Sequence, residues 1–215
     1  MSEETIAKGP LSGIRVLDFS MFMAGPYASR LLADAGAEVI KVEPPEGDYM
    51  RKSNPLRGDH SGFFGHLNCG KKCLTLNLKD DNDRAVINAL MPSVDVVLEN
   101  FRPGVTKRLG LHYDDLSAMR PGLVYCSVSG YGQTGPAAQL PAYAPVLHAA
   151  SGFDLAQIEY DPRQEQPIPN RSTTADILAA THAFGAICAA LVNRQNTGIG
   201  EHIDVALMDV MHQML

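Results

Sequence analysis

Hydrophobic positions come in short runs broken by stretches of helical spacing. Residues 14–19 (IRVLDF) form a β-branched, apolar run that predicts a strand. Ala24, Gly25 and Pro26 interrupt it, and Pro26 suits the first turn of a helix. Tyr27, Leu31 and Leu32 follow at helical spacing, and Gly36 fits the helix C-terminus. Residues 38–43 (EVIKVE) predict a second strand. Strand, helix and strand within about thirty residues make a βαβ unit, which implies a parallel sheet with a right-handed crossover.

The same rhythm continues. Residues 72–78 (KCLTLNL) alternate like a strand, 83–91 predict a helix, and 94–98 (VDVVL) another strand. A short helix over 113–119 leads to a strand over 123–129. Such alternation argues for an α/β domain that takes ligands at the C-terminal ends of its strands. Residues 130–145, rich in Gly, Pro and Ala, read as a long loop, and the polar stretch 157–171 as an exposed connection. A long helix is predicted over 173–195. Its apolar stretch 175–192 contains Asp176 and His182 and is rich in alanine, so it reads as a buried core helix rather than a membrane span. Turn residues at 196–200 (NTGIG), a strand at 202–206 and a helix from Leu207 complete the pattern.

Composition changes this picture little. The 215 residues are 45% hydrophobic and 20% charged, an ordinary soluble balance. A formal net charge of -6 gives no reason to expect a nucleic-acid partner. Cys69 and Cys73 are the only cysteines close in sequence, no second pair completes a zinc pattern, and no metal site is expected. Reduced thiols and a polar leader without an apolar signal core (MSEETIAKGP) lead to the expectation of a cytoplasmic protein.

Five segments carry a sharper signal: 11–43 (LSGIRVLDFSMFMAGPYASRLLADAGAEVIKVE), 68–79 (NCGKKCLTLNLK), 99–111 (ENFRPGVTKRLGL), 127–136 (SVSGYGQTGP) and 174–209 (TADILAATHAFGAICAALVNRQNTGIGEHIDVALMD). In this order they resemble class III CoA-transferases, the superfamily that includes formyl-CoA transferase, carnitine CoA-transferase and α-methylacyl-CoA racemase. The resemblance implies a Rossmann-like large domain with a parallel sheet and an interlocked-dimer architecture. It divides the chain into a Rossmann-like CoA-binding domain (1–195) and the start of a linker (196–215). The C-terminal small domain is expected to be absent from this chain. The implied partners are acyl-CoA and carboxylic acid substrates and a second chain, identical or related. No permanently bound cofactor, nucleic acid or membrane is implied.

By the same resemblance Asp176 is the nucleophile. Its carboxylate would attack the acyl-CoA thioester, passing through an aspartyl anhydride and an aspartyl-CoA thioester. Spacing alone reads Thr173 and Asp176 differently, as a T-x-x-D capping box. Phe22, Met23 and Ala24 would meet the CoA thiol end, although as plain residues Phe22 and Met23 read as core. Formyl-CoA transferase carries a glutamine at the Met23 position. Asn100, Phe101, Arg102 and Arg108, just beyond a predicted strand, would bind CoA, the arginines forking onto phosphate. Leu76 and Lys79 match further CoA contacts. Formyl-CoA transferase has an arginine and a lysine where this chain has Pro44 and Pro141, so the phosphate grip would differ, with Arg51 or Lys71 as substitutes. Tyr143 stands where the racemase branch carries a catalytic histidine, which favours transfer over racemisation. His148 is expected to pack on a helix and His182 to be a core or interface residue. Three readings stay open: a CoA-transferase, an acyl-CoA racemase or epimerase, and a CoA-binding subunit that is inactive without a partner chain.

Overall fold

The apolar runs pair into one parallel sheet. The computed structural model describes residues 9–160, 165–167 and 172–215. Strand β1 (Arg15–Asp18) leads through helix α1 (Ala24–Asp34) to β2 (Glu38–Glu43). A 3-10 turn (Tyr49–Lys52) and a small hairpin of β3 (Leu56–Arg57) and β4 (His60–Ser61) precede α2 (Gly62–Asn68) and β5 (Lys72–Thr75). Then come α3 (Asp81–Leu90), β6 (Val96–Glu99), α4 (Val105–Leu109), α5 (Tyr113–Met119) and β7 (Val124–Ser129). The chain closes with α6 (Ala144–Ser151), α7 (Phe153–Ala156), α8 (Thr174–Thr197), β8 (His202–Ala206) and α9 (Leu207–His212).

The sheet order is β5-β2-β1-β6-β7-β8, and every pairing in it is parallel. From β1 the chain winds outward to β2 and β5, then returns to the other side of β1 for β6, β7 and β8. The order therefore reverses between β1 and β6, the place where a doubly wound sheet opens a crevice at its strand ends. Alternation along the central strands splits the core in two. Val16, Val96, Leu98, Val124 and Cys126 face the layer containing α1 and α8, whereas Leu17, Val97 and Tyr125 face α3 and α5. Residues such as Leu17 and Leu98 have no exposed surface, and each contributes about 2 kcal/mol by burial.

The predicted elements fall where the periodicity put them, with informative differences. The strand expected over 72–78 ends at Thr75. Leu76 still donates to the Glu43 carbonyl at 2.9 Å, but the Asn77 N–H turns away to the Asp83 carboxylate at 2.7 Å. Helices α2, α4 and α6 were not read from the sequence. They are short, and local caps define them rather than periodicity. Ser61 accepts from the Phe64 N–H to start α2, and left-handed Gly104 and Gly110 bracket α4. The expected loop over 130–145 stops at Tyr143, where Pro145 opens α6. The connection expected over 157–171 lies partly outside the described residues.

Helix α8 is long and apolar enough to cross a membrane by length and composition. It packs along one face only, with Ala175, Ala179, Ala183 and Ile187 buried against α1 and the sheet, while Ile177 and Val192 stay exposed. The expected core helix is thus one-sided. His182 is exposed and bonds the Leu178 carbonyl of its own helix at 2.8 Å, so it is not a core residue. In the 196–215 stretch, β8 adds the outer strand beside β7 and α9 packs on α8 and α6. Gly200 allows this. A Cβ there would stand 2.0 Å from the Leu123 carbonyl oxygen, so only glycine lets the chain pass into β8.

Candidate active site

A cavity of about 390 Å³ lies at the carboxyl ends of β1, β6 and β7. From β1 come Phe22, Met23 and Ala24 at the start of α1. From β6 come Asn100, Phe101, Arg102 and Pro103. β7 supplies Val128, Ser129 and Gly130, and the following segment supplies Leu140, Ala142 and Tyr143. The first turn of α8 brings Thr173 and Asp176, and Met50 reaches in from the 3-10 turn. Of the residues expected to contact CoA, six converge here: Phe22, Met23, Ala24, Asn100, Phe101 and Arg102.

Asn100 ties two of these walls together. Its Oδ1 accepts from the Met21 N–H at 2.9 Å, and its Nδ2 donates to the Met21 carbonyl at 2.7 Å. The switch-point crevice is therefore clamped across β1 and β6. The neighbouring Glu99 is buried, and its Oε2 accepts from the Phe101 N–H at 2.8 Å, fixing the turn that presents Phe101. Burial pushes the Glu99 carboxyl up to about 7, with the Ser127 hydroxyl and the Phe101 N–H pulling the other way. Phe22 holds φ 66, the only left-handed non-glycine backbone among the described residues. Such strain costs on the order of 1–3 kcal/mol and persists where the surroundings hold it. On the opposite wall Gly130 lets the Ala142 side chain approach, because a Cβ there would lie 2.1 Å from Ala142 Cβ.

Asp176 stands at the third position of α8, facing the cavity. The Thr173 side chain makes no capping bond, so the capping box read from the spacing does not form. The first turn is held instead by His148 of α6, whose Nε2 accepts from the Ala175 N–H at 3.3 Å. His148 has no exposed surface and is in ring contact with Phe153 at 5.4 Å. Desolvation raises the Asp176 carboxyl to about 6, while the N–H groups of Ala24 and of Asp176 itself act in the opposite direction. A half-buried carboxylate raised toward neutrality, facing a cavity with backbone N–H groups near it, is equipped to act as a nucleophile with oxyanion support.

Other expected residues lie elsewhere. Leu76 is buried in the core beneath β5, Lys79 is exposed on the α3 side, and Arg108 is exposed on α4; none of the three lines the cavity. Neither substitute for the phosphate grip is free. Arg51 forks onto Glu43 at 2.7 Å through both Nε and Nη2 and covers the Phe64 ring. The Lys71 ammonium is fully buried, contacting Asp18 at 3.1 Å, the Pro26 carbonyl at 2.8 Å and Asn68 at 2.8 Å. Burial drives the Lys71 pKa down despite Asp18. Burial pushes Asp18 up, but the Lys71 and Lys41 charges with the Ser20 and Ser29 hydroxyls outweigh it and hold that carboxyl low.

Sequence reasoning missed Met50, the end of β7 and this buried ionic group. The signal was present: Asp18 and Lys41 sit inside the apolar runs VLDF and VIKV. A charge there must be paired or must serve a site.

The CoA-transferase family III model matches residues 11–215. The chain belongs to this family. It is 42% identical to acetyl-CoA:oxalate CoA-transferase from Acetobacter aceti, an alignment covering 97% of this chain and 54% of that protein. It is 39% identical to human succinyl-CoA:glutarate CoA-transferase, covering 93% of this chain and 45% of that protein. A Chloroflexus aurantiacus relative, the alpha subunit of succinyl-CoA–L-malate CoA-transferase, is 36% identical over 96% of this chain and 48% of its own length. The chain thus spans about half the length of the curated relatives it matches. Among solved structures, a CaiB/BaiF family protein from Brucella suis superposes with a TM-score of 0.90 at 36% identity, covering 97% of this chain and 56% of that one. A hypothetical protein from Mycobacterium tuberculosis gives 0.88 at 36% identity, covering 96% and 57%. Family membership carries the doubly wound sheet with it, as the sequence implied.

Proposed function

We propose that the protein transfers CoA between an acyl-CoA and a free carboxylic acid, with Asp176 as nucleophile. The observation that carries this reading is the desolvated Asp176 carboxylate, facing the switch-point cavity beside the Ala24 N–H. One Asp176 oxygen attacks the thioester carbonyl and expels CoA thiolate, leaving a mixed anhydride. The thiolate attacks the Asp176 carbonyl of that anhydride and releases the donor acid, giving an aspartyl-CoA thioester. The acceptor carboxylate attacks this thioester, freeing the thiolate again and forming a second anhydride. Attack of the thiolate on the acceptor's acyl carbon yields the new acyl-CoA and restores the Asp176 carboxylate. Each attack develops an oxyanion, and preorganised backbone N–H donors stabilise it most where water is excluded.

The substrates in this reading are an acyl-CoA and a small acid. The relatives named for oxalate, glutarate and malate make short dicarboxylic acids the first to test. CoA enters as substrate, and the chemistry calls for no resident cofactor. Phe101 and Arg102 would pack on and pair with CoA. The reading extends to a cytoplasmic protein paired with a second chain in an interlocked assembly, supported by the exposed apolar residues Ile177 and Val192 on α8 and by the subunit naming of one relative. Racemase chemistry is disfavoured at the cavity. Among the described lining residues Asp176 is the only carboxylate and Tyr143 takes the second acid–base position, while His148 is committed to the Ala175 N–H.

The test is trapping. Incubation with acyl-CoA followed by borohydride or hydroxylamine should modify the peptide containing Asp176, and Asp176→Asn should abolish both adduct and transfer. Full transfer by Asp176→Asn would refute the assignment. So would exchange of the substrate α-hydrogen with deuterated water in place of an adduct.

A further inference from the structure

The buried ionic group beneath the β1–α1 turn is not needed for any chemical step, yet it touches two walls of the cavity. Asp48 has a fully buried side chain. Its Oδ1 accepts from the Met50 N–H at 2.9 Å and, at the long distance of 3.5 Å, from the Phe22 N–H. Its Oδ2 lies 3.0 Å from the buried Lys41 ammonium, which in turn donates to the Ser20 carbonyl at 2.6 Å. The Asp48 N–H is anchored by Glu43 at 2.9 Å, and Tyr49 adds a ring contact to Phe22 at 5.7 Å. The chain from Ser20 to Phe22 is thus gripped from one side by a single carboxylate–ammonium pair. Two residues beyond Phe22, Ala24 lines the same cavity as Asp176, and its N–H favours the ionised Asp176 carboxyl.

We propose that Asp48, its buried charge balanced by Lys41, is a positioning residue for acyl transfer: its Oδ1 acceptor holds the left-handed Phe22 turn so that the Ala24 N–H is presented to the Asp176 carboxylate. A left-handed phenylalanine does not keep that conformation unaided, and the surroundings must over-determine it. A buried ion pair is weak evidence of a stability role, because an apolar pair of similar volume is often as stable. Its position beneath a strained, cavity-lining turn points to a geometric role. The proposal rests on Asp176 being the nucleophile.

The decisive variant is Lys41→Met with Asp48→Leu in the intact protein, which removes both buried charges together and so leaves neither stranded. Acylation of Asp176 at saturating acyl-CoA should slow by about ten- to a hundredfold, with the KM for acyl-CoA within about threefold of wild type. The Asp176 carboxyl, followed by carbon NMR, should titrate at higher pH because it has lost a donor. Lys41→Met with Asp48→Asn, which keeps an acceptor for the two N–H groups, should restore most of the rate. A leucine variant with wild-type acylation and an unmoved Asp176 titration would overturn the proposal, whatever its thermal stability. If that variant does not fold, Asp48→Glu decides. It keeps the charge but displaces the acceptor, so it must slow acylation at unchanged KM, and a wild-type rate would overturn the proposal equally. Failure of wild-type protein to acylate Asp176 would sink the nucleophile reading instead, and the NMR titration, which needs no turnover, would still test the positioning.

Discussion

The environment of Asp176 sets a pH dependence that can be measured. Desolvation moves its carboxyl from 3.8 to about 6. Only the anion can attack a thioester, so the acylation rate should follow the ionised fraction. With a midpoint near 6, about nine-tenths of Asp176 is ionised at pH 7 and about one-tenth at pH 5. The first-turnover rate of Asp176 acylation should therefore fall roughly tenfold between these values. An unperturbed aspartate would lose less than about a tenth of its rate over the same interval, so the two cases separate cleanly. The assay is rapid-quench labelling from saturating acyl-CoA at a series of pH values, with the Asp176 peptide quantified by mass spectrometry. Single-turnover conditions keep product release out of the rate. A profile flat from pH 5 to 7 would show that the carboxyl is not desolvated as described, and a fall toward high pH would exclude an anionic nucleophile.

Other outcomes follow from neighbouring residues. Glu99 is raised from 4.5 to about 7, so its contribution is full below about pH 4.5 and is lost as pH rises through 7. Glu99→Gln should remove a pH-dependent slice of stability of about 3 kcal/mol over that window, seen as a flatter dependence of denaturation midpoint on pH; an unchanged slope would contradict the burial argument. Phe22→Gly relieves a left-handed backbone, so stability should change by less than about 1 kcal/mol while acyl-CoA binding weakens, as calorimetry would reveal. Gly200→Ala should cost about 3 kcal/mol or more in chemical denaturation, because the added methyl meets the Leu123 carbonyl at a distance no Cβ tolerates. A wild-type midpoint for that variant would mean that the backbone entering β8 shifts freely.

The fold was legible where side-chain period and strand length agreed. IRVLDF and EVIKVE gave β1 and β2 because their buried faces need runs of apolar residues. Helices α2 and α4 escaped, since five to seven residues are too few to display a period and their definition lies in one serine cap and two left-handed glycines. At the site, the ordered motifs pointed to Asp176, which lines the cavity, whereas local spacing suggested a cap that Thr173 does not make. The clamp of Asn100 on Met21 joins residues 79 positions apart, and no local pattern encodes it. Lys71 was misjudged for the same reason. A lysine beside Gly70 reads as free to meet a phosphate until folding places Asp18, Pro26 and Asn68 around its ammonium.

The cavity walls come from residue 22 at one extreme and residue 207 at the other. Helix α1, read early by a ribosome, packs chiefly on α8, whose residues emerge some 150 positions later. Contacts of such separation form late, after the entropy of closing large loops has been met. Until then Asp176 is an ordinary solvated carboxylate with no donor from Ala24 and no crevice beside it. The switch-point crevice and the raised Asp176 carboxyl are therefore absent from the nascent chain and arrive only with the completed sheet.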